Sequence, residues 1–174
     1  MFNELNILGI FFESPSREFN VRELARLVKA APATVSKRLK ELAEKGFLKY
    51  RKERLLDLYR ADLESTEYLD LKVYYNIRQI RETGLIKAIN EEYLKPTVIL
   101  FGSASKGLDV ENSDFDLVII AEKSSKLKNK QLFEKKLKRK LQLFVIKSLK
   151  NLQNRHLINS VLNGVVIQGE FEWI

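Results

Sequence analysis

"LFGSASKGLDVENSDFDLVII", residues 100–120, joins the end of an apolar run to a Gly-Ser turn and then to a second apolar run that opens on two aspartates. The β-branched stretch Thr97–Phe101 predicts a buried strand leading directly into Gly102-Ser103. A glycine there lets the backbone come close to a phosphate, and the serine adds a hydroxyl and an N–H at a helix start. Asp114 and Asp116 lie two apart, so on a strand both project to one face while Phe115 and Leu117 project to the other. Two carboxylates held side by side are costly without a cation. Oxygen-only ligation of this kind suits magnesium or manganese.

Taken together, Gly102-Ser103, Gly107 and Ser113-Asp114-x-Asp116-Leu117 resemble the signature of the polymerase-β-type nucleotidyltransferase superfamily, most of all its minimal, stand-alone members. The resemblance covers about residues 85–174. It implies a small mixed sheet flanked by helices, with Gly102, Ser103, Gly107 and Ser113 binding a nucleoside triphosphate (NTP). It also implies that Asp114 and Asp116 are the catalytic, Mg2+-holding acids. Active members usually supply a third carboxylate from a later strand. Here the corresponding strand is predicted over Lys140–Ser148, "KLQLFVIKS", and its alternation puts Gln142 at that position. An amide can offer an oxygen to a metal but can neither offset its charge nor act as a base, and losing such a group costs several kcal/mol of transition-state stabilisation. Asp109, Glu111 and Glu122 are the other acids near the motif, and none lies on the expected strand.

Upstream, "REFNVRELARLVKAAPATVSKRLKELAEKGFLKYRKERLLDLYRADL" predicts two short helices and a basic hairpin. Asn20 is placed to cap the first helix, whose apolar face is Leu24, Leu27 and Val28, and Pro32 lies near the start of the second. In the second, Val35, Leu39, Leu42 and Ala43 face inward, and Gly46 is placed to end it in the left-handed conformation. This stretch resembles a winged helix-turn-helix domain over about residues 2–63. The resemblance implies that Thr34, Ser36, Lys37 and Arg38 reach the bases and phosphates of double-stranded DNA. Arg51, Lys52 and Arg54 on the wing would hold the adjacent backbone. A protein-binding helical module with a solvated charged face is the other reading of the same residues.

Residues 64–84 form a helical connector between the two predicted domains, 1–63 and 85–174. Its stripe, Leu69, Val73, Ile77 and Ile80, needs either the chain's own domains or a second copy to cover it. A homodimer is one expectation, because winged helices commonly bind paired half-sites. Further on, "EKSSKLKNKQLFEKKLKRK" carries apolar residues only at Leu127, Leu132, Phe133 and Leu137, which reads as a solvated amphipathic helix or as an attractor for nucleotide or nucleic acid. His156 falls on a helix predicted over Leu149–Val161 with no companion at ligand spacing, and reads as a surface or packing residue.

The whole chain, 174 residues with a formal charge of +8, suits one domain or two small ones. Eight Lys or Arg oppose three Glu between Pro32 and Arg54, and eleven oppose two between Ala121 and Lys150, so two separate basic surfaces are expected. The absence of cysteine excludes disulfides, thiol catalysis and cysteine-ligated metals. No apolar run is long enough to span a membrane. The start has no signal-peptide pattern, and Phe2, Leu5, Leu8 and Phe12 recur at helical spacing, so a core helix and a cytoplasmic protein are expected. The expected class is α+β. Two functions stay open: a DNA-binding, transcription-regulator-like protein whose second domain senses a nucleotide or mediates assembly, and a Mg-dependent enzyme moving a nucleoside monophosphate to a hydroxyl. The resemblance also implies a partner protein, because minimal members of the superfamily often act as antitoxins.

Overall fold

The computed structural model describes residues 2–123 and 125–170; the side chains of residues 2–6 lie outside it, and with them the expected contributions of Phe2 and Leu5. The architecture is α+β, with two small sheets. The chain divides into two units, Met1–Lys72 and Val73–Ile174.

The first unit runs α1 (Phe2–Glu13), β1 (Phe19–Asn20), α2 (Val21–Leu27), α3 (Pro32–Glu44), β2 (Leu48–Glu53) and β3 (Leu56–Ala61). Its antiparallel sheet has the order β1-β3-β2. The core collects Leu8, Phe11 and Phe12 of α1, Leu24 of α2, and Val35, Leu39 and Leu42 of α3. Phe11 meets Phe19 edge-on with ring centroids 5.4 Å apart, and burying a side chain of this size contributes about 1.5–3 kcal/mol.

Helix limits in this unit follow from local chemistry. The Asn20 side chain accepts a hydrogen bond from the Glu23 N–H at 2.9 Å, which caps α2. Pro32 opens α3 where its missing N–H costs nothing. At the other end Gly46 has φ +77°, the Gly46 N–H donates to the Ala43 carbonyl and the Phe47 N–H to that of Leu42. That pair of bonds is a Schellman motif, and it depends on a residue that enters the left-handed region without strain.

α4 (Thr66–Glu82) starts in the first unit and ends in the second. The second unit continues with α5 (Leu85–Tyr93), β4 (Thr97–Phe101), β5 (Phe115–Ile120), α6 (Lys130–Leu137), β6 (Leu141–Ile146), α7 (Arg155–Leu162) and β7 (Val165–Gln168). The sheet order is β6-β5-β4-β7. β4 pairs antiparallel with β5 and β7, whereas β5 and β6 run parallel through the crossover that contains α6. Ile80, Leu85, Ile89, Val98, Leu100, Leu117, Phe133 and Leu137 form the core on one face. Ile99, Phe101, Val118, Leu149 and Val161 form a smaller one on the other. Ile80 of the connector stripe is therefore used inside this unit.

Two expected helices are shorter in the structure. The basic run forms a helix only over Lys130–Leu137, because Asn129 and Lys138 both adopt left-handed backbone and close it at each end. The predicted helix Leu149–Val161 is instead a 3-10 turn at Leu149–Asn151 followed by α7. Ser148 accepts from the Lys150 N–H, while the Asn154 side chain accepts from the N–H groups of His156 and Leu157. Two caps so close together restart the helix. His156 is exposed on α7. Among the described residues no helix is long and apolar enough to cross a membrane.

Candidate functional site

β4 is almost wholly buried, so its end point is fixed by packing on both faces. The chain leaves it at Gly102, φ +73°, and enters a 3-10 turn at Ala104–Lys106. The Ser103 carbonyl accepts from the N–H groups of Lys106 and Leu108, and the Ser105 hydroxyl donates to the Gly102 carbonyl at 2.9 Å. Gly107, φ +69°, ends the turn. A Cβ built on Gly102 would stand 2.5 Å from Asp116 Oδ2. Glycine is therefore required twice over, by the backbone angle and by the carboxylate against it.

Residues 108–114 are held from below by a polar cluster that the sequence reading did not anticipate. Asp109 is fully buried, accepts from the Asn76 side chain at 2.8 Å and pairs with Arg139. Asn76 also donates to the Ala104 carbonyl at 3.0 Å, tying the 3-10 turn and the loop to α4. The signal was a single asparagine inside the apolar stripe of α4, between Val73 and Ile77. Asp109 faces inward to this cluster and so is committed to the loop. Ser113 shapes the same loop: its hydroxyl accepts from the Val110 N–H at 2.9 Å and its own N–H donates to the Val110 carbonyl.

Asp116 sits on β5 opposite Phe101 of β4 and opposite Gln142 of β6, and Asp114 stands one residue before the strand. Burial, and then the neighbouring Asp114 charge, push the Asp116 carboxyl above the usual aspartate range. Gln142 is exposed on β6, and its side-chain N–H donates to Asp114 Oδ2 at 2.8 Å. The three side chains thus converge on the face of the sheet next to the Gly102-Ser103 turn. Among the described residues no group of three acids, histidines or cysteines is gathered as a metal site. The donor set is two carboxylates with one amide, an oxygen set that fits Mg2+.

Residues 82–167 match the family model described as the nucleotidyltransferase domain. Over those residues the second unit is similar to a nucleotidyltransferase domain. No curated protein matches the chain. Within the matched residues, the Gly-Ser turn and both aspartates are brought together, and an amide stands beside them in strand register.

The other candidate residues lie in the first unit. Thr34 and Lys37 are exposed near the start of α3, and Ser36 and Arg38 are half-buried. Arg51, Lys52 and Arg54 are exposed on the β2–β3 hairpin, whose two-residue turn is Arg54-Leu55. Their charges are not equally available. Arg51 donates to both carboxylate oxygens of Glu18 at 2.7 and 2.6 Å and also pairs with Glu53. Arg38 pairs with Glu41. Lys37, Lys52 and Arg54 make no ion pair among the described residues. Leu55 at the tip is 95% exposed.

Proposed function

We propose that this protein binds double-stranded DNA through its N-terminal unit and an NTP with Mg2+ through its nucleotidyltransferase domain, where transfer is impaired. The observation that carries the impairment is the Gln142 amide, in register with Asp116 and donating to Asp114. The amide spends its donor on a hydrogen bond to one acid and brings no negative charge of its own. Asp114 and Asp116 would hold the cation, which when bound supplies charge neutralisation at the phosphates. Gly102 admits a phosphate close to the backbone, and Ser103 offers its hydroxyl, which has no partner among the described residues.

The DNA-binding half rests on element order. Helix, short strand, two helices and a hairpin, with a β1-β3-β2 sheet, support a winged helix-turn-helix reading in which α3 enters the major groove. Lys37, Lys52 and Arg54, unpaired among the described residues, supply cations on α3 and the wing.

A second reading, an active Mg-dependent transferase, is favoured by the intact glycine turn and both aspartates. One experiment separates them. Each α-labelled NTP is incubated with wild type, Gln142→Asp and Asp114→Asn/Asp116→Asn, and both bound and transferred label are counted. The proposal expects metal-dependent binding by wild type that the double variant loses. It also expects little self-labelling by wild type and a rise of about 10²-fold with Gln142→Asp. Efficient transfer by wild type that Gln142→Asp leaves unchanged would establish the active enzyme instead.

A further inference from the structure

β6 is an edge strand, and its outer edge is open over two residues. In the parallel β5–β6 ladder the Phe115 N–H donates to the Lys140 carbonyl and the Ala121 N–H to that of Ile146. Bonds in a parallel ladder alternate, so the even-numbered residues of β6 bond to β5 and the odd-numbered ones point their N–H and C=O outward. Leu141 obeys this parity, and its outward N–H is taken by the Glu134 carboxylate at 2.9 Å. No element among the described residues pairs with the same edge at Leu143 and Val145. The opposite edge is treated differently, since the Arg81 guanidinium donates to the Ile167 carbonyl of β7.

Beside the open stretch lies a cleft of about 760 Å³, with Tyr93, Leu127, Leu143 and Val145 as its apolar lining and Lys126 and Lys130 as its cations. Leu143 and Val145 project to the sheet face opposite Gln142, so this cleft is separate from the nucleotide site. The one acid lining it among the described residues, Glu134, already accepts from Leu141 and pairs with Lys130. An open apolar edge is a liability that folded proteins ordinarily cover or charge, and here the charge stands around it.

We propose that this edge receives an extended acidic segment of a partner protein as a fifth strand. Its backbone bonds to Leu143 and Val145, its alternate apolar side chains enter the cleft, and its carboxylates meet Lys126 and its neighbours. A second copy of this chain is disfavoured as the occupant, because it would bring the same basic rim, Lys126 and Lys130 of the cleft, up to the cations that already surround the edge.

The test uses the full chain and a fluorescein-labelled eight-residue peptide of alternating valine and glutamate, followed by anisotropy, with a valine–lysine peptide as the charge-reversed control. Binding should be selective for the glutamate peptide. Val145→Pro removes an outward donor without breaking a β5 bond, and Lys126→Glu reverses one cation; each should weaken binding about tenfold. Bound peptide should also slow amide exchange at Leu143 and Val145, a readout independent of whether Val145→Pro folds. Any of three results would overturn the proposal: equal binding of both peptides, unchanged exchange at those amides, or self-association that protects the edge without peptide.

Discussion

Replacing Gly102 by alanine tests the geometry of the nucleotide turn most directly, because two separable costs meet at that residue. The first is the backbone: φ is +73°, and an L-residue in the left-handed region costs about 1–2 kcal/mol. Part of this is offset, since a glycine-to-alanine change lowers the entropy of the unfolded chain by about 0.4–1 kcal/mol. The second is steric: the new Cβ would meet Asp116 Oδ2 at 2.5 Å, so that carboxylate must leave its rotamer, at about 0.5–1.5 kcal/mol. Gly84 isolates the first cost. Its φ is +81°, and a Cβ there meets nothing within 4 Å. Gly84→Ala should therefore cost about 1 kcal/mol and Gly102→Ala about 2 kcal/mol. Both glycines belong to the same unit, so urea denaturation followed by circular dichroism compares them on one transition. A cycle completes the test. In an Asp116→Ala background the clashing atoms are gone, and Gly102→Ala should fall to the cost of Gly84→Ala. If Gly102→Ala costs no more than Gly84→Ala with Asp116 present, the close approach of turn and carboxylate is refuted.

Two further outcomes follow from charge. Lys37→Ala and Lys52→Ala should each lower the slope of log affinity against log salt for a DNA duplex by about 1, whereas Arg51→Ala should change it less, because Arg51 must first leave Glu18 and Glu53. Anisotropy titrations over a salt series check this, and a dominant effect of Arg51→Ala would remove the wing pairing from the argument. Asp116→Asn should raise the stability of the unliganded protein at pH 7 by a few tenths to about 1 kcal/mol while abolishing metal-dependent nucleotide binding. The sign follows from the raised carboxyl: from its ordinary value of 3.8 up to the folded value, the folded state holds more protons than the unfolded, so stability falls as pH rises through that window. Thermal melts at pH 4 and pH 7 check it, since the gain should shrink at the lower pH.

Strand alternation placed Asp114 and Asp116 on one face, because a pleated strand leaves a side chain only two directions, and the family resemblance added Gln142, which the structure has donating to Asp114. The capping of α2 by Asn20 and the termination of α3 at Gly46 were legible for a similar reason: each is a contact within one turn of chain. The buried Asp109–Asn76–Arg139 cluster was not, because its members are about thirty residues or more apart and a carboxylate's partner is not written beside it. Nor was the difference between a free lysine at 37 and an occupied arginine at 51, which depends on Glu18 arriving across the sheet. The sequence by itself determined the local rules: periodicity, turns, caps and which residue types stand in the motif. Only the tertiary structure decided which charges were already spent, which edge stayed open, and why residue 102 has no room for a side chain, since each depends on atoms that the fold brings together from distant positions.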